Sequence, residues 1–267
     1  MNGELASKIE QLKNNLKQMD SVAVAFSGGV DSTFLLKMAH ELLGEKVIAV
    51  TAVSSVFPKE ECKEAKQFTN NIGVTHKLIN SISIDNFSKN PTDRCYYCKK
   101  ELFTKIKKIA DKEKISFVLD GSNADDVNDY RPGFKALREL SIVSPLRDVG
   151  LTKDEIRSFS KEIGLDTWDK PAFACLASRF PYGIEITKPR LEQVEKAELY
   201  LRSLGFKQFR VRYHVEIARI EVSKNDFQQI LAHSDDIVKK FRELGFNYVT
   251  LDIEGYRTGS LNEVLLV

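Results

Sequence analysis

Leu5, Ile9, Leu12 and Leu16 recur at helical spacing and give one apolar stripe, which predicts a first helix near the N-terminus. A second pattern then repeats along the chain. Short apolar runs read as strands: "SVAVAF" (21–26), "KVIAVTAV" (46–53), "THKLINSI" (75–82) and "ISFVLDGSN" (115–123). Between them lie three stretches of helical period: "DSTFLLKMAHELL", ended by Gly44; "PKEECKEAKQFTNNIG", opening on Pro58 and closing on Gly73; and "KKELFTKIKKIADKEK". Strands alternating with helices predict a parallel sheet covered on both faces, and the rhythm reaches the helix "TKDEIRSFSKEIG" (152–164).

After about residue 185 the rhythm changes. "RLEQVEKAELYLRSLGFKQFRVRYH" and "SDDIVKKFRELGFNYVTLDIEGY" each give a helix, an LGF turn and a strand, with Gly205 and Gly245 in matching places. Two such units are too few for a solenoid. They predict a small α+β domain over 184–267, following an α/β domain over 1–183, with "SRFPYGIEITKP" as the linker.

The chain has 267 residues, and 40 Lys+Arg against 38 Asp+Glu leave a net charge of +2, so no bulk field argues for a nucleic-acid or membrane partner. No apolar run approaches the about 18 residues of a membrane span, and "MNGELASKIEQLKNNLKQMD" lacks the apolar block of a secretory signal. A cytoplasmic protein is expected. Its four cysteines, Cys62, Cys95, Cys98 and Cys175, then read as structural thiols, metal ligands or reactive groups rather than as a disulfide framework.

The stretch most suggestive of chemistry is Ser27-Gly28-Gly29-Val30-Asp31-Ser32, set between the first strand and the helix that follows it. Such a turn gathers backbone N–H groups and the positive end of a helix dipole around one point, with glycines that let a ligand approach, so it suits an anion such as phosphate. A tight turn with Asp31 or Ser32 merely capping the helix is the plainer alternative. The stretch is neither the G-x-x-x-x-G-K-[ST] loop nor the G-x-G-x-x-G fingerprint. It resembles the SGGxDS signature of the PP-loop superfamily of N-type ATP pyrophosphatases. That resemblance implies cleavage of ATP between its α and β phosphates and an adenylated intermediate.

Further stretches narrow the resemblance: "RCYYCKKELF", "LDGSNADDVNDYRPG", "SPLRDVGLTKDEIR", "TWDKPAFACLASRFPYG", "LRSLGFKQFRVRYH" and "ARIEVS". Together they are similar to the LarE family of ATP-dependent sacrificial sulfur transferases, over nearly the whole chain and both domains in order. The resemblance implies a part in making the nickel-pincer nucleotide cofactor of lactate racemase and related enzymes. It also implies a pyridinium-3,5-biscarboxylic acid mononucleotide substrate, ATP with Mg²⁺, and a homo-oligomer. The carboxylates would be adenylated in turn and then converted to thiocarboxylates.

A carboxylate is a poor electrophile until AMP makes its oxygen a good leaving group, and sulfur must then arrive as a thiolate or sulfide. Cys175 stands at the position matching the family's sulfur-bearing cysteine, although Ala, Phe and Leu around it would equally suit a small buried hydrophobe. Ser178 and Arg179 follow, and cationic neighbours favour a thiolate; both are placed with the substrate. One branch of the family donates the sulfur of this cysteine and is left with dehydroalanine. In the other, three cysteines hold a [4Fe-4S] cluster whose open iron carries extra sulfide. Cys95-Tyr-Tyr-Cys98 with Cys175 matches the three-cysteine pattern, although a C-x-x-C pair alone also serves zinc or redox chemistry. Cys62, among charges in "KEECKEAK", reads as a bystander.

Other candidates are Asp120-Gly121 at a strand end, and Asp125 and Asp126 in the loop beyond, carboxylates suited to Mg²⁺ or nucleotide or simply to solvent. Arg210 and Arg212 alternate in "FRVRYH" and so share one strand face, which suits a phosphate grip. Glu198 and Glu221 match positions near a family metal site. His40, His76, His214 and His233 have no ligating spacing. Two rival readings stand beside this one: a PP-loop tRNA thiolase, against which the near-neutral charge and the want of a basic module argue, and a non-catalytic adenine-nucleotide sensor.

Overall fold

The computed structural model describes residues 3–54, 56, 59–80, 87–128, 132–171 and 175–265. The chain divides into two compact units, Met1–Ser83 with Asp93–Phe173, and Ile84–Thr92 with Ala174–Val267. The division falls at 173/174 rather than at the expected 183/184, and the stretch 84–92 goes with the second unit. Asn90 gives the physical reason. Its buried side-chain amide donates to the carbonyls of Phe180, Pro181 and Ile184, while Gly183 and Ile186 donate their backbone N–H groups to Asn90 and Ser88.

In the first unit, α1 (Gly3–Lys17) buries the four stripe residues. Then come β1 (Val22–Ala25), α2 (Val30–Leu43), β2 (Val47–Val53), α3 (Lys59–Ile72), β3 (Thr75–Asn80), α4 (Arg94–Lys112) and β4 (Phe117–Leu119). The four strands form one parallel sheet in the order β3-β2-β1-β4, with Val22 opposite both Val47 and Phe117. The two-residue period of a strand sorts its side chains into two cores. Val22, Val24, Val47 and Ala49 pack with residues of α1, α2 and α3, whereas Ala23, Ile48 and Val50 pack with Phe103, Ile106 and Ala110 of α4. Burial on both faces is why these strands read as continuous apolar runs. The unit continues through α5 (Gly133–Glu139), α6 (Pro145–Asp148) and α7 (Lys153–Glu162).

Helix α4 begins at Arg94, ahead of the Lys99 start read from the sequence, so Cys95 and Cys98 lie in its first turn. Pro58, Ser81, Ile82 and the stretches 129–131 and 172–174 lie outside the described residues. Among those described, no helix is long and apolar enough to cross a membrane.

In the second unit, α8 (Lys188–Ser203), β5 (Phe209–His214), β6 (Ile217–Val222), α9 (Phe227–Ala232), α10 (Ser234–Glu243) and β7 (Tyr248–Leu251) follow. The sheet order is β5-β6-β7, antiparallel across the first pair and parallel across the second. The matching LGF turns are structural equivalents. Gly205 and Gly245 adopt φ of 92° and 97° after α8 and α10, a region costly for any residue with a Cβ, and each turn buries its phenylalanine, Phe206 or Phe246.

Candidate active site

From β1 the chain winds outward through β2 to β3, then returns to place β4 on the other side of β1. The carboxyl ends of β1 and β4 therefore flank the point where strand order reverses, where open α/β sheets bind their ligands. Ser27 to Ser32 leave β1 there, and Gly121 follows β4. A Cβ on Gly121 would lie 3.1 Å from the Ser32 backbone nitrogen, so the absence of a side chain is what lets the two loops meet. Gly28 has φ of 73°, and a Cβ there would stand 3.3 Å from the Cβ of Ala65 on α3. The positive φ calls for glycine, and the close approach of Ala65 leaves a side chain little room.

The hydroxyls of Ser27 and Ser32 lie 3.0 Å apart; Ser32 Oγ also donates to the Gly29 carbonyl, and the Gly29 N–H donates to Ser27 Oγ. Helix α2 has no side-chain cap, so the N–H groups of its first turn, which have no acceptors within the helix, face the loop. Asp31, in that turn, bonds Lys153 Nζ through Oδ2 at 2.6 Å, while its Oδ1 is buried without a hydrogen-bond partner among the described residues. A buried carboxylate oxygen left open beside an anion-seeking turn fits a metal ion or a ligand donor.

Lys153 was not singled out in the sequence, although it is the second residue of "TKDEIR". It is the first residue of α7, whose capping box joins Thr152 and Glu155, and its own N–H donates to Asp125 Oδ2 at 2.7 Å. Asp126 accepts from the Asn123 N–H. Both loop carboxylates thus serve local geometry. Asp120 is buried and accepts from the hydroxyls of Ser122 and Ser144, with Lys99 Nζ at 3.5 Å. Lys170 was missed as well. Its ammonium bonds the Gly28 carbonyl at 3.0 Å and Glu61 and Glu64 at 2.7 Å each.

The second unit holds the remaining candidates. Cys175, partly exposed, precedes a 3₁₀ turn, Leu176–Arg179, and its carbonyl accepts from the Ser178 N–H and from Arg179 Nη1. Arg179 is 0% exposed and grips Glu198 in a fork, Nε to Oε1 and Nη2 to Oε2, both 2.8 Å. Burial pushes the Glu198 carboxyl up, but the Arg179 charge and bonds outweigh it and hold the group below the ordinary carboxylate range. Arg212 makes a second fork with Glu221 and donates to the Ser178 carbonyl and Ser260 Oγ. Arg210 stacks on Tyr256, and burial, then the nearby Arg179 charge, push it down to about 10. The spacing on β5 indicated a shared face but not these partners. As metal ligands, Glu198 and Glu221 would have to release their arginines.

Cys95 and Cys98 occupy i and i+3 of α4, one side of its first turn, which suits two thiolates to a common centre. They belong to the first unit and Cys175 to the second. Among the described residues, no group of three or more His, Cys, Asp or Glu is placed to hold a metal ion. Cys62 lies on α3, and His76 is held between Thr69 and Thr51 by its two ring nitrogens.

A family model described as NAD synthase matches residues 4–111. Over 265 residues the chain is 44% identical to an uncharacterized protein of Synechocystis sp., covering 98% of this chain and 99% of that one. It is 41% identical over 264 residues to the pyridinium-3,5-bisthiocarboxylic acid mononucleotide synthase of Lactiplantibacillus plantarum, covering 98% of this chain and 96% of the relative. The chain belongs to the LarE family. As a LarE-family member it is an enzyme of the PP-loop class, and that class also explains a more distant likeness. A glutamine-hydrolyzing GMP synthase component of Methanocaldococcus jannaschii is 27% identical to the LarE-family chain over 172 residues, covering 59% of this chain and 54% of the relative.

Proposed function

We propose that this chain is an ATP-dependent sulfur transferase acting on pyridinium-3,5-biscarboxylic acid mononucleotide, in the making of a nickel-pincer nucleotide cofactor. The observation that carries the reading is the end-to-end similarity to the Lactiplantibacillus plantarum synthase in a chain whose SGGVDS loop stands at the sheet's reversal point. In the first step a substrate carboxylate oxygen attacks the α-phosphorus of ATP, and pyrophosphate leaves with the electron pair of the broken P–O bond. Under this reading the first-turn amides of α2 and Lys153 Nζ, which bonds Asp31, would receive the phosphates, and the open Oδ1 of Asp31 suits Mg²⁺. In the second step a sulfur nucleophile attacks the acyl carbon and AMP departs. The buried guanidinia of Arg179, Arg210 and Arg212 outnumber the carboxylates of Glu198 and Glu221 they meet, which suits the substrate phosphate, with Ser178 beside them.

For the sulfur source we favour the three-cysteine reading. Cys95, Cys98 and Cys175 would hold a [4Fe-4S] cluster, which would supply sulfide from an iron without a protein ligand. In the other branch Cys175 itself attacks, and cleavage of its Cβ–S bond leaves dehydroalanine. Under this reading the enzyme is cytoplasmic and homo-oligomeric, the latter checked by light scattering.

Incubation with Mg·ATP and the biscarboxylated nucleotide is expected to yield AMP and pyrophosphate, and Asp31→Ala to abolish both. ADP with orthophosphate would refute the assignment. Anaerobic reconstitution with iron and sulfide, read by Mössbauer spectroscopy and repeated turnover, addresses the sulfur. Cys95→Ala and Cys98→Ala should lose cluster and turnover together. Full activity in both, with Cys175 losing the mass of H₂S in one turnover, would instead establish the sacrificial route.

A further inference from the structure

We infer that Lys170 is the positioning residue of the phosphate-binding loop, holding the Gly28–Gly29 peptide in the orientation that sends its N–H to Ser27 Oγ and so fixes the shape of the loop at the mouth of α2. The inference rests on the reading of SGGVDS as an ATP site. It stands on three contacts made by one ammonium: the Gly28 carbonyl at 3.0 Å, and the Glu61 and Glu64 carboxylates, both on α3, at 2.7 Å each. The Lys170 and Glu61 side chains are only 14% and 12% exposed, so that pair is shielded, whereas Glu64 is 51% exposed and adds a solvent-facing contact.

The carbonyl contact matters because a trans peptide is planar, with its C=O and N–H on opposite sides. Drawing the Gly28 oxygen toward Lys170 turns the Gly29 N–H the other way, toward Ser27 Oγ and the mouth of α2. Glycines on both sides of this peptide give it little steric resistance to flipping, so an external hold is needed where other chains would rely on a Cβ. The ammonium is itself well fixed. Arg157 of α7 donates to the carbonyls of Trp168 and Lys170 at 2.6 and 2.7 Å, which pins the backbone that carries the side chain.

The carboxylates supply the rest of the argument. Glu61 Oε1 is buried with no hydrogen-bond partner among the described residues, so Lys170 is the cation that makes a half-satisfied carboxylate tolerable. A merely structural ion pair would need only Glu61 and Glu64. The third bond, to a loop carbonyl, links this pair to the nucleotide site and makes the geometry of the turn depend on the position of α3.

The test separates anchoring from positioning by binding α,β-methylene-ATP with Mg²⁺, followed by calorimetry, which requires neither the second substrate nor any turnover. Lys170→Met should weaken binding by roughly ten- to hundred-fold, the effect of losing one charge-assisted hydrogen bond that holds the loop in its binding shape. Glu61→Gln/Glu64→Gln, which keeps the ammonium on the Gly28 carbonyl, should bind within about three-fold of wild type, and Lys170→Arg should recover most of the loss. Where Lys170→Met fails to fold, the triple variant with both glutamines removes the stranded carboxylates and is expected to bind as weakly. Binding within two-fold of wild type in either Lys170→Met background would overturn the inference, as would equal losses in the double glutamine variant and Lys170→Met. If wild type binds the analogue yet never releases pyrophosphate from ATP, the proposed reaction fails while this inference stands.

Discussion

Asn90 shows how much a single side chain can organise. It is 0% exposed, sits at φ of 51°, and donates to three carbonyls that belong to a turn far along the chain. Asn90→Ala removes these donors and a side chain that, among those with a Cβ, tolerates left-handed backbone well, so unfolding free energy should drop by about 2–4 kcal/mol in urea melts. His76 gives a pH-dependent counterpart. Burial, then the Lys66 charge, lower its pKa from 6.5. The unfolded chain thus takes up a proton near pH 6.5 that the folded chain refuses, so stability should fall as pH drops below 6.5 and level off once the folded imidazole titrates. His76→Gln should flatten part of that decline in melts between pH 7.5 and 5, the remainder including His214, whose pKa burial also lowers. The stripe of α1 was legible because all four residues serve one local period. Asn90 was not, because its partners are remote and nothing in "SKNPTD" names them.

Elements were readable where their ends carry their own chemistry. Helix α7 opens on a capping box written in "TKDE", and Thr152→Ala should cost about 1 kcal/mol, read as a lower thermal midpoint. Because Lys153 is the next residue, the same change is expected to raise the KM for ATP. Helix α4 was read late because Asp93 makes no side-chain cap and Cys and Tyr are indifferent helix formers, so the strong period begins only at Lys99. The placement of the cysteine pair therefore depends on packing rather than propensity. On β5 the alternation gave the shared face of Arg210 and Arg212 but not the glutamates, since Glu198 comes from α8 and Glu221 from β6. Charge partners across elements leave no periodic trace.

At the scale of the molecule, the nucleotide loop lies in the first unit and the buried arginines in the second. Arg210→Ala should accordingly weaken the pyridinium nucleotide by roughly ten- to hundred-fold, measured by calorimetry, with ATP binding within about two-fold of wild type. Equal losses for both ligands would contradict that division. The parallel sheet was evident from alternating patterns; its strand order, and so the reversal point, was not, and neither was the exchange of 84–92 between units, since a short stretch carries no signal of where it docks.

That exchange has a consequence for how the chain comes off the ribosome. The second unit is discontinuous, and its first piece, with Phe87 and Asn90 that end up buried, is synthesised long before the turn at 180–186 that receives it. Until that turn emerges, an apolar ring and an unsatisfied amide wait beside a first unit that already has most of its sheet. The nascent chain must therefore carry an open loop through the whole of α4 to α7, and no single cut can release either half as a complete folding unit.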